Sequence, residues 1–187
     1  MTEAHVIRRR EFCWEDPASL GAASGEISGL ELLQDMLAER RPAAPIMSLL
    51  GMAFAEISHG LVVMSLTPQE CQYNMLGTVH GGVMATLLDS VMGCAVHSTL
   101  PARGGYSTVE IKVNYVRPIT LEVNSLRAEG RVLHAGRRIV TAEGAVRDST
   151  NRLYAHGTST CLLFDLDRAD VGLGPRLAVL SDNSDGA

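Results

Sequence analysis

The sequence lacks the signals that mark membrane, secreted and nucleic-acid-binding proteins. No apolar run approaches the ~18 residues that a membrane-spanning helix needs. The opening MTEAHVIRRREFCWEDPASL has three arginines but not the apolar stretch of a signal peptide. The net charge is −5 and the isoelectric point is about 5.6, which leaves no general basic surface for nucleic acid. We therefore expect a cytoplasmic protein with neither a membrane nor a nucleic-acid partner.

Cysteines are few and far apart in the chain: Cys13, Cys71, Cys94 and Cys161. They form neither a CxxC motif nor a Cys/His spacing typical of metal ligands, so the sequence predicts a reduced protein without a metal or other cofactor. Apolar residues make up 46% of the 187 residues and charged residues 20%, which is typical of a globular protein with a substantial core. The length favours one domain with a tail at each end.

Three regions can be separated along the chain. Residues 1–45 are predicted to be an N-terminal arm, in which residues 1–26 are loose and Leu30–Arg41 has the apolar spacing of a short amphipathic helix. Residues 46–165 carry the regular pattern of a folded domain. Residues 166–187 are predicted to be a flexible C-terminal tail, because they combine several glycines with a polar ending.

The folded region predicts one antiparallel sheet and one long helix. Six runs have strand composition and are separated by turn residues or by the helix: Phe54–Ile57, Leu61–Thr67, Tyr106–Tyr115, Ser125–Leu133, Arg138–Arg147 and Leu153–Phe164. Consecutive strands joined by tight turns pair antiparallel. The predicted helix, Gly81–Ser98, must then cover one face of the sheet, and the fold class is α+β.

The helix Gly81–Ser98 is apolar on nearly all sides, which is typical of a buried helix. Small and polar residues recur on a single stripe at steps of three and four: Gly82, Thr86, Asp89, Gly93 and His97. Asp89 is the only carboxylate in the helix. A buried aspartate is costly unless it is paired or has a function, so Asp89 is either a functional carboxylate or one that faces water or caps a loop.

Two glycines, Gly81 and Gly82, open this helix directly after His80. They leave backbone N–H groups uncovered at the positive end of the helix dipole, where a phosphate or the oxyanion of an acyl-transfer intermediate could bind. Asp89 lies ~12 Å further along the axis at 1.5 Å per residue, too far for both groups to hold one carbonyl. Either a two-fold dimer joins Asp89 of one chain to Gly81 of the other, or the site is long, or the glycines serve only close packing.

Two segments, NMLGTVHGGVMATLLDSVMGCAVHSTL and YSTVEIKVNYVRP, resemble the hotdog thioesterases of the PaaI-like and 4-hydroxybenzoyl-CoA thioesterase group. The combination of Asn, Gly, His-Gly-Gly and Asp at this spacing is specific, and the similarity extends over about residues 46–164. The resemblance implies a hotdog fold, in which an antiparallel sheet of five or six strands wraps around one central helix. It also implies a homodimer with two active sites at its interface, often paired into a homotetramer, and an acyl-CoA substrate.

The resemblance further implies roles for individual residues near the helix. Asp89 would act as general base or nucleophile, and the Gly81 N–H would form the oxyanion hole from the opposite subunit, with Gly82 beside it at the substrate. Asn74 would orient the thioester or the attacking water. His80 would fix the loop or ease departure of the thiolate.

A strand hydroxyl and a cationic site complete the set that the resemblance implies. Counting back from Tyr115 favours Thr108 for this hydroxyl, whereas counting forward from Asp89 favours Ser107, and Thr108 is preferred. The candidate cations for the CoA phosphates are Arg117, Arg137 and Arg138. Arginines that only solvate a hairpin are the alternative for these three.

Two other functions are compatible with the same fold. A hotdog dehydratase would need a catalytic His on a different motif, of the His-Phe-Pro-Gly type, which this sequence lacks. A non-catalytic acyl-CoA sensor usually lacks the carboxylate and carries a DNA-binding module. Here Asp89 is present, and the first 45 residues hold five Arg against eight Asp plus Glu. Hydrolysis of an acyl- or aryl-CoA thioester is therefore the predicted function.

Overall fold

A six-stranded antiparallel sheet and a long helix dominate the computed structural model, which describes residues 7–166. The helices are α1 (Ala18–Ser24), α2 (Gly29–Leu37), α3 (Pro45–Leu50) and α4 (Gly81–His97). The strands are β1 (Met52–Ser58), β2 (Leu61–Leu66), β3 (Gly104–Tyr115), β4 (Leu126–Ala135), β5 (Ile139–Asp148) and β6 (Leu153–Asp165). The predicted α+β class and hotdog fold are confirmed.

The order of strands in the sheet is β1-β2-β4-β5-β6-β3. The strand that follows α4 in the chain, β3, therefore lies at one edge of the sheet and pairs within the described chain with β6 alone. A bulge at Val109 interrupts this pairing, because Thr108 lies opposite Cys161 while Glu110 lies opposite Thr160.

Three glycines let α4 approach the sheet closely. Gly130, Gly144 and Gly157 lie opposite one another on β4, β5 and β6, so they form a row across the sheet. A Cβ atom added at Gly130 would lie 2.4 Å from the carbonyl oxygen of Val91 in α4. The helix thus packs with its backbone against the sheet, which explains why it is apolar on nearly all sides.

The core is built around this contact. The α4 side chains of Leu87, Leu88, Val91 and Met92 are fully buried against inward-facing residues of the strands. Asp89 is only partly buried and is not one of these core positions. The sequence pattern that separates Asp89 from the apolar positions therefore has a direct structural basis.

The predicted helix Leu30–Arg41 is too long at its C-terminal end. Helix α2 begins after Ser28, which forms a capping box with Glu31, and it ends at Leu37. The chain then reverses, with Glu39 at a φ of +56°. The side chains of the two following arginines fold back onto Asp35 in the last turn of α2, so they lie beside the helix and do not extend it.

The prediction that residues 1–26 are loose is wrong for α1. The Oδ1 atom of Asp16 accepts a hydrogen bond from the Ala18 N–H at 2.9 Å and starts this helix. The segment ASLGAAS has no helical spacing of large apolar residues, so a single capping aspartate was its only signal. The predicted flexible tail, residues 166–187, lies outside the described residues except for Leu166.

Candidate active site

The start of α4 is held by its own N-cap residue, His80. The Nδ1 atom of this ring accepts the Gly82 N–H at 2.9 Å. The first N–H groups of a helix have no intrahelical acceptor, and within residues 7–166 the Gly81 N–H has none at all. Capping by His80 therefore satisfies one of the two glycine N–H groups and leaves the Gly81 N–H available to a ligand.

Tyr115, at the end of β3, binds the carbonyl group of the peptide that joins Gly81 to Gly82. Its hydroxyl donates to the Gly81 carbonyl oxygen at 3.0 Å, and a Cβ atom added at Gly81 would lie 3.1 Å from the ring. The sequence predicts Tyr115 only as the last residue of a strand. No local pattern indicates the contact, because it depends on where β3 ends relative to the start of α4.

Asn74 lies in the loop before α4 and makes hydrogen bonds within that loop. Its Oδ1 atom accepts the N–H groups of Leu76 and Thr78 at 2.8 and 3.3 Å, and its Nδ2 atom donates to the Thr78 hydroxyl at 3.0 Å. These bonds shape the segment that leads to Gly81. Contact of Asn74 with the thioester or with water stays a prediction.

Asp89 has a hydroxyl partner on β3. The Thr108 Oγ1 atom donates to Asp89 Oδ1 at 3.0 Å. Because side chains alternate along a strand, Tyr106 and Thr108 face α4 while Ser107 points to the opposite face. The geometry thus places Thr108, and not Ser107, beside the carboxylate, and the bond leaves Asp89 Oδ2 available.

Two thiols lie close to this carboxylate, and neither is suited to be a nucleophile. Burial, together with the negative charge of Asp89, raises the pKa of the Cys94 thiol to about 12. Burial also raises the pKa of Cys161, whose Sγ atom lies 4.0 Å from the Thr108 hydroxyl. A thiolate is the nucleophilic form of cysteine. Since both groups stay protonated at neutral pH, the carboxylate is the candidate reactive group at this position.

The described chain therefore contains two separate halves of a site. One half is Asp89 with Thr108, and the other is the Gly81 N–H with His80 and Tyr115. Both glycine and carboxylate lie on α4, eight residues apart, which corresponds to ~12 Å along the axis. One chain alone does not bring the two halves together.

Of the three candidate arginines, Arg117 lies nearest to the Gly81 half. It lines a cavity of about 370 Å³ together with Thr78, Gly81 and Tyr115. Its Nη1 atom donates to the Leu153 carbonyl oxygen at 2.5 Å while the side chain stays exposed. Arg137 and Arg138 are exposed at the turn between β4 and β5 and do not line this cavity.

The part of the chain that the structure describes contains neither a group of metal-binding side chains nor a membrane-spanning helix. Between residues 7 and 166, no three His, Cys, Asp or Glu side chains come together where they could hold a metal ion. None of the helices in this part is long and apolar enough to span a membrane.

Comparisons with known proteins identify the family of the chain. The sequence model of the thioesterase superfamily matches residues 76–155. A candidate esterase of Halobacterium salinarum is 32% identical over 106 residues, which are 54% of this chain and 68% of that protein. The chain belongs to the thioesterase superfamily.

One further relative in sequence and one solved structure are also similar to this chain. Human acyl-coenzyme A thioesterase 13 is 29% identical over 102 residues, covering 54% of this chain and 71% of the human protein. The structure of a conserved protein from Pseudomonas aeruginosa superposes with a TM-score of 0.62 at 30% identity, covering 65% of this chain and 95% of that one. The resemblance seen in the sequence is therefore confirmed at the level of the superfamily.

The superfamily match includes most of the candidate site but not all of the chain. The matched segment, residues 76–155, contains Gly81, Asp89, Thr108 and Arg117. Asn74 lies two positions before the start of this segment. Helices α1, α2 and α3 lie wholly outside the matched segment. We call these three helices the N-terminal layer.

Proposed function

We propose that this protein hydrolyses acyl-CoA thioesters to a free acid and CoA. The observation that carries the proposal is the Asp89 carboxylate of α4, which accepts a hydrogen bond from the Thr108 hydroxyl of β3. The same helix begins with a Gly81 N–H that has no acceptor among residues 7–166. Membership of the thioesterase superfamily and the name of the human relative, an acyl-coenzyme A thioesterase, support the same reaction.

The chemistry follows from these groups. As general base, Asp89 takes a proton from water, and the oxygen of that water attacks the thioester carbonyl carbon. The negative charge that develops on the carbonyl oxygen is stabilised by the Gly81 N–H, a kind of contact worth ~2.7–4 kcal/mol. The C–S bond then breaks, the acid is released and the CoA thiolate takes up a proton. As nucleophile, Asp89 would instead attack the carbonyl carbon directly. The C–S bond would then break, the CoA thiolate would leave and take up a proton, and water would hydrolyse the mixed anhydride to the free acid and the Asp89 carboxylate.

A homodimer would bring the two halves of the site together. The outer edge of β3 has no neighbouring strand within residues 7–166, so its backbone groups can pair with a second copy of the same strand. Apolar side chains are exposed on β3 and in the loop before α4, with Val109 52%, Tyr115 57% and Met75 98% exposed. A two-fold axis beside β3 would cover this surface and place Asp89 of one chain near Gly81 of the other.

The experiment is a release assay for the CoA thiol over a panel from acetyl- to palmitoyl-CoA, with phenylacetyl- and benzoyl-CoA. We expect turnover by the wild type and a loss of more than tenfold in kcat/KM for Asp89→Asn, which keeps the shape of the side chain and its bond to Thr108. Glu129→Gln, at a half-buried carboxylate on β4 that pairs with Arg127, is the matched control and should keep full activity.

Two outcomes would contradict the proposal. Binding of acyl-CoA without turnover by the wild type would indicate a sensor and not an enzyme. Retention of more than a tenth of kcat/KM by Asp89→Asn, which corresponds to less than ~1.4 kcal/mol of barrier, would remove the carboxylate from the mechanism.

A further inference from the structure

A second cavity, of about 360 Å³, lies between the N-terminal layer and α4. Its apolar wall comes mainly from side chains of the three short helices: Leu20, Leu32, Leu33, Met36, Ile46 and Met47. Asp89 and Ser90 line the same cavity from α4. The space therefore begins at the proposed catalytic carboxylate and extends beneath helices that lie outside the superfamily match.

Apart from Asp89, the lining of this cavity carries no formal charge at neutral pH. Burial lowers the pKa of His97, so its ring is neutral, and the raised pKa of Cys94 keeps the thiol protonated. The remaining lining residues are aliphatic, aromatic or hydroxyl-bearing. A charged or strongly polar group would lose its hydration here without a partner, whereas an apolar group would be stabilised by removal from water.

The dimensions of the cavity limit what it can hold. Asp89 and His97 both line it and are eight residues apart on α4, which is ~12 Å along the helix axis. An extended chain advances about 1.2 Å per bond, taken from ~3.6 Å over three backbone bonds, so roughly ten bonds fit in this length. The volume lies near the lower end of ligand pockets, which span about 300–1,000 Å³.

We propose that this cavity holds the acyl group, and that the N-terminal layer makes the enzyme selective for unbranched aliphatic chains of about eight to ten carbons. The inference rests on the proposed function, because it places the thioester carbonyl at Asp89 and the chain beyond it. Since α1, α2 and α3 lie outside residues 76–155, the selectivity belongs to this chain and is not expected of every superfamily member.

Met36 offers a test on the wall contributed by α2. It is partly buried and lines the cavity, whereas its neighbour Leu37 is 37% exposed and does not. Met36→Trp should fill the cavity and lower kcat/KM for decanoyl-CoA at least tenfold, while butyryl-CoA changes less than twofold. Met36→Ala should enlarge the cavity and raise the ratio of tetradecanoyl- to decanoyl-CoA turnover. Leu37→Trp adds the same bulk outside the cavity and should leave the chain-length profile unchanged.

A binding measurement separates this inference from the proposed function. The product decanoate, titrated calorimetrically, should bind the wild type and Leu37→Trp alike, and at least fivefold more weakly to Met36→Trp. Absence of decanoate binding, equal losses on butyryl- and decanoyl-CoA, or a preference for phenylacetyl- over decanoyl-CoA would each overturn the assignment of the cavity. Decanoate binding that weakens as expected, without turnover of any acyl-CoA, would support the cavity and refute hydrolysis.

Discussion

The superfamily segment and the N-terminal layer meet at α4, and they contribute to the site in different ways. In residues 76–155, hydrogen bonds position the candidate reactive groups, as between Thr108 and Asp89 and between Tyr115 and Gly81. In the layer, apolar side chains pack around a cavity without a directed polar contact to the carboxylate. Directed bonds suit chemistry that must hold atoms in place, and apolar walls suit recognition of a chain by size. We therefore expect changes in the segment to alter turnover and changes in the layer to alter the choice of substrate.

The largest effect is expected from removal of the Gly81 N–H in the superfamily segment. Gly81 is the first residue of α4, where proline is well tolerated, and His80 before it has an extended ψ of 136°. Gly81→Pro removes the N–H, and Gly81→Ala adds a Cβ atom near Tyr115 while keeping the N–H. We expect Gly81→Pro to have kcat ~10²- to 10³-fold below Gly81→Ala, because one oxyanion-hole donor is lost.

Mixing Gly81→Pro with Asp89→Asn subunits then tests whether the site is shared. A mixed dimer has one site with both natural groups, so an exchanged equimolar mixture should recover about a quarter of wild-type activity. Each variant alone, incubated in the same way, is the control. No recovery despite proven subunit exchange, or a fully active monomer by light scattering, would contradict a site built from two chains.

The sheet and α4, between residues 52 and 165, are the part of the molecule that local sequence patterns describe best. Each of the six strands and α4 has its own periodicity, and Asp89 stood out as the sole carboxylate of an apolar helix. The bond between Tyr115 and Gly81 could not be predicted, because the two residues are 34 positions apart and meet only through the fold. The cavity beneath α1–α3 depends on contacts between distant elements in the same way. The catalytic roles of Gly81, Asp89 and Asn74 stay predictions.

A smaller effect is expected for Arg117, which lies in the superfamily segment and is a candidate for contact with the CoA phosphates. If it contacts a CoA phosphate, the contact exists in ground and transition states alike, so Arg117→Ala should raise KM with little change in kcat. We expect about three- to tenfold, or ~0.6–1.4 kcal/mol, and less at high salt. Acyl-pantetheine, which lacks the nucleotide phosphates, should show no such penalty.

Arg137→Ala and Arg138→Ala are the matched controls for this comparison. Both arginines are exposed on the turn between β4 and β5, away from the cavity that Arg117 shares with Gly81. An equal loss for Arg117→Ala on acyl-CoA and acyl-pantetheine would mean that its bond to Leu153 supports the fold instead. A selective loss in one of the two controls would move the phosphate site to the turn.

The smallest effect concerns His97, where the layer and α4 touch. A Cβ atom at Gly29 of α2 would lie 2.0 Å from the His97 carbonyl oxygen, and the Nδ1 atom of the ring is buried without a hydrogen-bond partner among the described residues. Burial lowers the pKa of this imidazole below that of the unfolded chain, about 6.5. Between these two pKa values the unfolded state binds more protons, so the free energy of unfolding falls as the pH drops below about 6.5 and levels off below the folded pKa.

His97→Phe removes the titration and should flatten this dependence in denaturation at pH 7.5 and 5.0, whereas His134→Gln, at an exposed position, should not. If His97→Phe lost as much stability on acidification as the wild type, the acid sensitivity would lie elsewhere than at the contact between α2 and α4.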